Sequence, residues 1–295
     1  MWCSSRNCRI RRPASCSRRS CARTTGTTSC PGERADGGSA AARRREQDVS
    51  ETTTTTTTTT ARVLGVLGGM GPLASAQFML RLTLLTPAER DQDHIPAVLW
   101  SDPRVPDRTA ARLAGGEDPL PWLVRGLRGL EAAGCGAVAI PCNTAHGWYE
   151  AMREATRLPI LHIVDAAAEE LRRQGVADGP VGVMGTAGTL AMRLYQDRLG
   201  SLGYACLTPG EEEMARLVTP AIAAVKANRV AEAYAPLAEA ARALAARGAR
   251  AVVLGCTEIP LGIAAGPALP FPVVDTIDAL ARAAIDWARG GSDMR

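Results

Sequence analysis

Two cysteines hold the reactive chemistry this sequence offers. Cys142 stands in GCGAVAIPCNTAH, Gly134 to His146, and Cys256 in RGARAVVLGCTEIP, Arg247 to Pro260, 114 residues apart. Each follows a short apolar run. Each precedes small polar residues, Asn143 and Thr144 in one case, Thr257 and Glu258 in the other. A thiol ionises near pH ~8.5 in a free peptide, and a helix N-terminus lowers that value. If two sulfurs flank one carbon, a thiolate can remove a proton from one face while a thiol supplies one to the other. The configuration inverts, and on the reverse path the roles exchange, so the two groups should be alike. Matched cysteines fit that scheme better than a nucleophile–histidine pair, whose partners differ. Two other readings compete. Both residues could be small buried apolar groups, a common fate of cysteine. They could also ligate zinc with His146 and Glu258. Against zinc, Cys142 and His146 make a single i, i+4 pair and the chain has no CxxC. His146 reads instead as a packing or orienting residue.

Two cations are candidates for holding an anionic substrate. Arg108 lies in SDPRVPDRTA, Ser101 to Ala110, an irregular loop after a predicted strand. A guanidinium there can grip a carboxylate by two parallel hydrogen bonds. A solvated surface arginine is the alternative, since the chain has 33 arginines. Lys226 is the sole lysine, which suggests work for a compact ammonium that arginine does not do. No cofactor-site pattern surrounds it, so Schiff-base chemistry with pyridoxal phosphate is not indicated. GGMGP, Gly68 to Pro72, opens a predicted helix over 73–85. Its glycines admit a close ligand, and the helix end offers N–H groups to an anion. It is not GxGxxG and no GK[ST] follows, so a nucleotide is not supported.

These residues need a scaffold that delivers them to one place. Short apolar runs bounded by Gly and Pro read as buried parallel strands: 63–67, 97–100, 137–140 and 160–164, with helices between, including 120–133 closed by Gly134. After Gly179–Pro180 the pattern restarts. VGVMGTAGT, Val181 to Thr189, echoes VLGVLGGMGP. Further strands are expected at 204–207, before Cys256 and at 271–276. A long helical stretch is expected over 211–247 and a closing helix over 277–289. Strand–helix alternation argues for α/β architecture. The expected fold is two similar domains, each a parallel sheet flanked by helices, related by a pseudo-two-fold axis with the site in the cleft. Residues 61–175 plus 275–295 would form the first domain and 176–274 the second. Ligands of such sheets bind beyond the carboxyl ends of the strands, where both cysteines fall.

Residues 1–48 hold eleven arginines against four acids, an excess of seven that outweighs the net charge of +4 for the whole chain. The body is therefore slightly acidic, and a basic surface for nucleic acid is not supported. The arm ends in nine threonines, Thr52–Thr60. Its composition cannot offset the entropy of ordering, so residues 1–60 are expected to be disordered. A transit peptide, a functionless translated leader and a surface-binding tail are the readings of this arm. No apolar run approaches the ~20 residues of a membrane span. Four body cysteines without a secretory signal suggest free thiols in a reducing compartment, the cytoplasm, with an organelle address left open.

Taken together, LGVLGGMGPLAS, RDQDHIP, PDRTA, GEDPLP, PCNTAH and GCTEIPL resemble the aspartate/glutamate racemase family, most closely its aspartate racemases, over residues 62–288. The resemblance implies a cofactor- and metal-independent enzyme of two α/β domains, commonly a homodimer, acting on a small acidic amino acid. It implies Cys142 and Cys256 as the acid/base pair. It places Met70 in the substrate loop, and Asn143, Thr144 and Thr257 on the substrate's α-carboxylate or ammonium. Arg108 and Lys226 would hold carboxylates, with Asp107 and Glu258 positioning the thiols and Thr186 in the second domain's loop. Relatives acting on glutamate usually carry His after the second Cys-Thr. Glu258 stands there in this chain, which favours aspartate. The alternative within the family is a glutamate or broad-specificity aspartate/glutamate racemase, and the rival outside enzymes is a non-catalytic dicarboxylate-binding protein.

Overall fold

A computed structural model describes residues 62–290. Residues 1–61, with the expected disordered arm, and 291–295 lie outside the described residues. Among the described residues eight strands form two all-parallel sheets of four. The first holds β1 (Leu64–Gly68), β2 (Ala97–Ser101), β3 (Ala137–Ala139) and β4 (Ile160–Leu161) in the order β2-β1-β3-β4. The second holds β5 (Gly179–Gly185), β6 (Tyr204–Leu207), β7 (Val252–Gly255) and β8 (Val273–Asp275) in the order β6-β5-β7-β8. The two orders are the same, so β3 and β7, which precede the cysteines, occupy equivalent inner positions.

The helices run α1 (Pro72–Leu85), α2 (Arg108–Leu113), α3 (Leu120–Ala132), α4 (Tyr149–Ala155), α5 (Ile163–Arg173) and α6 (Ala187–Ala191). They continue as α7 (Leu194–Gly200), α8 (Glu211–Glu213), α9 (Thr219–Lys226), α10 (Tyr234–Ala246), α11 (Glu258–Ile263) and α12 (Thr276–Ala288). Side chains alternate across each strand, and the alternation divides the core. Val66, Ala139, Val183 and Val253 face a shared layer built on α1, α5 and α12. Leu67, Val138 and Ile140 face α3. Met184, Val252 and Leu254 face α9, α10 and α11. Strands covered on both faces read as continuous apolar runs. The closing helix α12 follows the second sheet but packs on α1 and α5. There Arg81 donates to both carboxylate oxygens of Asp278, at 2.5 and 2.6 Å.

Two expected elements change. The strand expected over 160–164 ends at Leu161, because the His162 ring accepts the Val164 N–H at 3.2 Å and so caps α5. The helical stretch expected over 211–247 is interrupted. A wide turn at Met214–Val218 follows α8, and α9 stops at Lys226. Asn228 then takes φ +59, and a 3-10 turn at Val230–Ala233 leads into α10. The break sets Lys226 at a helix C-terminus, where a cation is favoured. Among the described residues no helix is long and apolar enough to cross a membrane.

Candidate active site

Each cysteine is delivered by the same local device. Helix α3 ends in Gly134 at φ +79, with Gly134 N–H on Glu131 O and Cys135 N–H on Leu130 O. Helix α10 ends in Gly248 at φ +97, with Gly248 N–H on Ala245 O and Ala249 N–H on Leu244 O. Both are Schellman caps, whose left-handed residue favours glycine. Each cysteine lies eight residues beyond its glycine, past the carboxyl end of β3 or β7.

The two strand ends open on one small, tight cavity. Its walls contain all eleven residues that the family resemblance implied for the site, but not His146. Cys142, Asn143 and Thr144 come from the loop after β3, and Cys256, Thr257 and Glu258 from the loop after β7. Asp107, Arg108, Met70, Thr186 and Lys226 complete that set. Thr109, which lies in PDRTA but was given no role from sequence, lines it too. A wider space of about 390 Å³ adjoins it, sharing Met70, Asp107, Arg108, Lys226 and Glu258 and adding Leu73, Val105 and Val225. Among the described residues no His, Cys, Asp or Glu cluster has the makings of a metal site.

Glu258 ties the second cysteine to the first sheet. Its Oε2 accepts the Cys256 S–H at 3.0 Å, and its Oε1 accepts the Gly71 N–H at 3.3 Å at the start of α1. The helix end expected to receive a ligand's negative charge thus receives a side-chain carboxylate of the chain itself. Burial, the Glu258 charge and the S–H bond to it push the Cys256 thiol well above its usual range, so it rests protonated. Thr257 donates its hydroxyl to Pro141 O at 3.2 Å, joining the two cysteine loops directly.

Behind Cys142, His146 has a fixed tautomer. Its Nε2 accepts the Ile163 N–H at 3.3 Å, so Nδ1 carries the proton and donates to Cys142 O at 2.9 Å. Burial drives the ring's pKa down to about 4, and that of the neighbouring His162 to about 2. Both are neutral, and His146 orients the loop, as its sequence context suggested.

Arg108 is buried, 9% exposed, and meets no carboxylate among the described residues. Its Nη1 donates to Val105 O and Pro106 O, its Nη2 to Met70 O at 3.3 Å, and its Nε has no partner. A buried cation satisfied only by carbonyls, with a donor to spare, is set for an anion. Lys226 is exposed and forms no ion pair among the described residues. Asp107 caps α2 through Ala110 N–H at 2.7 Å. Burial raises its carboxyl pKa, but that hydrogen bond, Lys226 and Arg108 outweigh it and the net direction is down. Thr144, Thr186 and Thr189 form a triangle of hydroxyls, each pair 3.0 Å apart. Asn143 bonds Thr276 and Tyr195. Sequence reasoning missed Thr109, Thr189, Tyr195 and Thr276. Each is an ordinary residue near a helix start; the fold brings Thr109 to the cavity and the other three against Thr144 or Asn143, which line it.

Two like parallel sheets, each sending one thiol into a common cleft, define a class of α/β protein with a two-cysteine site. The sequence profile described as Asp/Glu/Hydantoin racemase matches residues 67–284, and the chain belongs to that family. The solved Picrophilus torridus aspartate racemase is 29% identical, with a TM-score of 0.67 covering 77% of this chain and 94% of that one. A broad specificity amino-acid racemase of Bacillus subtilis is 29% identical over 168 residues, 56% of this chain and 71% of the relative. The glutamate racemase of Deinococcus radiodurans is 32% identical over 196 residues, 65% of this chain and 62% of the relative.

Proposed function

We propose that this chain is a cofactor-independent racemase that interconverts L- and D-aspartate, with Cys142 and Cys256 as the opposed bases. The observation that carries the reading is one cavity walled by both thiols and by a buried Arg108 that has no carboxylate hydrogen-bond partner among the described residues. In this reading residues 61–175 with 275–295 form one domain and residues 176–274 the other, and two chains form a homodimer. Cys256 rests as the acid, its S–H on Glu258, which leaves Cys142 as base in the first direction. Cys142 takes the Cα proton and the C–H pair stays on the substrate, spread into its α-carboxylate. The Cys256 proton then forms the new C–H bond on the opposite face. The reverse reaction starts with the sulfur protons exchanged. Arg108 and Lys226 hold the carboxylates, and Asn143, Thr144 and Thr257 hold the α-substituents. Met70 closes the loop over them, Asp107 and Glu258 position charge, and Thr186 supports Thr144. A weakly acidic Cα–H yields to a thiolate only where fixed donors and exclusion of water stabilise the developing charge.

Incubation with L-aspartate in deuterated water should give D-aspartate carrying one Cα deuterium. Cys142→Ser and Cys256→Ser should each abolish racemisation, while exchange at one face can persist. Retention of configuration and Cα–H by the unaltered protein rejects catalysis in favour of a binding protein. The smaller diacid is supported by the likeness to an aspartate racemase and by Glu258 after the second Cys-Thr. A methylene discriminates by only ~1–3 kcal/mol, so equal turnover of glutamate rejects the aspartate assignment alone.

A further inference from the structure

We infer that Tyr195 is a positioning residue that locks the Asn143 side-chain amide with its N–H facing the cleft, so that Asn143 acts on a ligand only as a donor. Tyr195 lies on α7 and is fully buried, and its hydroxyl donates to Asn143 Oδ1 at 2.5 Å. Asn143 Nδ2 donates to Thr276 Oγ1 at 3.3 Å, and Thr276 Oγ1 donates to Leu254 O at 2.8 Å. The directions along this chain are forced. Leu254 O can only accept, so the Thr276 proton is committed to it and Thr276 Oγ1 must receive from Asn143. The group of Asn143 on that side is then its NH₂, and its oxygen faces Tyr195. Turning the amide over would face the NH₂ toward the phenol, strand the phenolic proton and take the Thr276 proton from Leu254 O. Buried polar groups do not tolerate such losses cheaply. Burial first, then the Cys256 sulfur, hold the phenol in its protonated, donating form.

One Asn143 N–H is left, and Asn143 lines the cavity. That hydrogen suits a carboxylate oxygen and repels an ammonium. Tyr195 also bears on the other thiol's loop. A side chain added at Gly255, the residue before Cys256, would meet the Tyr195 ring at 2.9 Å. One phenol therefore touches the neighbours of both cysteines, Asn143 through its hydroxyl and Gly255 through its ring.

The inference rests on the proposed carboxylate site, and the test separates the two. Succinate, a dicarboxylate with no ammonium, is titrated calorimetrically into the full chain, and aspartate racemisation is assayed separately. Tyr195→Phe should fold and bind succinate about tenfold more weakly, the cost of freeing a buried amide to turn. The same variant should raise KM for aspartate more than it lowers kcat. Asn143→Ala should weaken succinate similarly, and the double variant should be no worse than Asn143→Ala alone, because Tyr195 acts through the amide. Thr276→Val, which removes the other anchor, should reproduce the loss and serves if Tyr195→Phe fails to fold. Unchanged binding in Tyr195→Phe or Thr276→Val overturns the inference, as does additivity in the double variant. An unaltered chain that binds succinate without racemising aspartate rejects the function and leaves the Tyr195 series decisive. An unaltered chain that binds no succinate overturns both.

Discussion

In the proposed reaction the residue that would divide the work between the two thiols is Glu258. It accepts the Cys256 S–H and, through its charge, helps raise that thiol's pKa, second only to burial. Glu258→Gln keeps the shape and removes the charge. The alkaline limb of kcat/KM, where the acid thiol loses its proton, should then move down by about one pH unit. The value of kcat/KM should fall equally in both directions, because the equilibrium between enantiomers is fixed. A limb that stays in place removes Glu258 from control of Cys256. Arg108 yields a second expectation. Its guanidinium spans three carbonyls from two loops and keeps Nε free. Lysine has the charge but not the fork, so Arg108→Lys should lower kcat/KM for aspartate at least about tenfold. Wild-type kinetics in that variant would show the cation acting by charge alone.

At the level of elements, the site is made by helix ends and by the strands they feed. The α3 and α10 caps both place a glycine eight residues before a cysteine, and a Cβ at Gly134 or Gly248 would meet nothing within 4 Å. Gly248→Ala should therefore cost only backbone strain, about 1 kcal/mol in denaturant unfolding. Gly69 differs. It has φ +91, and a Cβ there would lie 2.5 Å from the Asp102 backbone. Gly69→Ala should cost about 3 kcal/mol or more and shift the Met70 loop. Equal losses at the two glycines would contradict the packing of Gly69 on Asp102. The repeated unit was legible in sequence because glycine caps, apolar strands and cysteines recur at fixed spacing. Cys142, Asn143 and Thr144, and Cys256, Thr257 and Glu258, reach one cavity for that reason. The break after Lys226 was not legible, since ANRV carries no Pro or Gly and Asn228 supplies the left-handed residue instead. Tyr195 and Thr276 were invisible for another reason. Their partners lie 52 and 133 residues away, and no local pattern encodes a hydrogen bond across that distance.

For the whole molecule, the buried titratable groups behind the cleft set how stability responds to acid. His146 and His162 have folded pKa values of about 4 and about 2, against an unperturbed value near ~6.5. Below pH ~6.5 the unfolded chain takes up protons that the folded chain refuses, so stability falls with pH, by up to about 1.4 kcal/mol per unit for each ring. Asp275 acts oppositely. Burial first, and then Asp278, raise its folded pKa to about 6, so between pH ~6 and ~4 the folded chain holds a proton that the unfolded chain has lost. Asp102, held down to about 2 chiefly by its hydrogen bond from Arg104, titrates below that window. Two rings against one carboxyl leave a net excess of about one proton on the unfolded chain. Stability should thus fall by about 2 kcal/mol from pH 7 to pH 5, read from urea unfolding at the two values. His162→Asn removes one of the opposing protons and should nearly flatten the dependence. Protonation of His146 would also displace the Ile163 N–H from Nε2, so the loop of Cys142 and the start of α5 should loosen together in acid. Stability that is equal or higher at pH 5 would mean that these rings accept protons without unfolding, and the buried, neutral His146 could not then be the brace of the Cys142 loop.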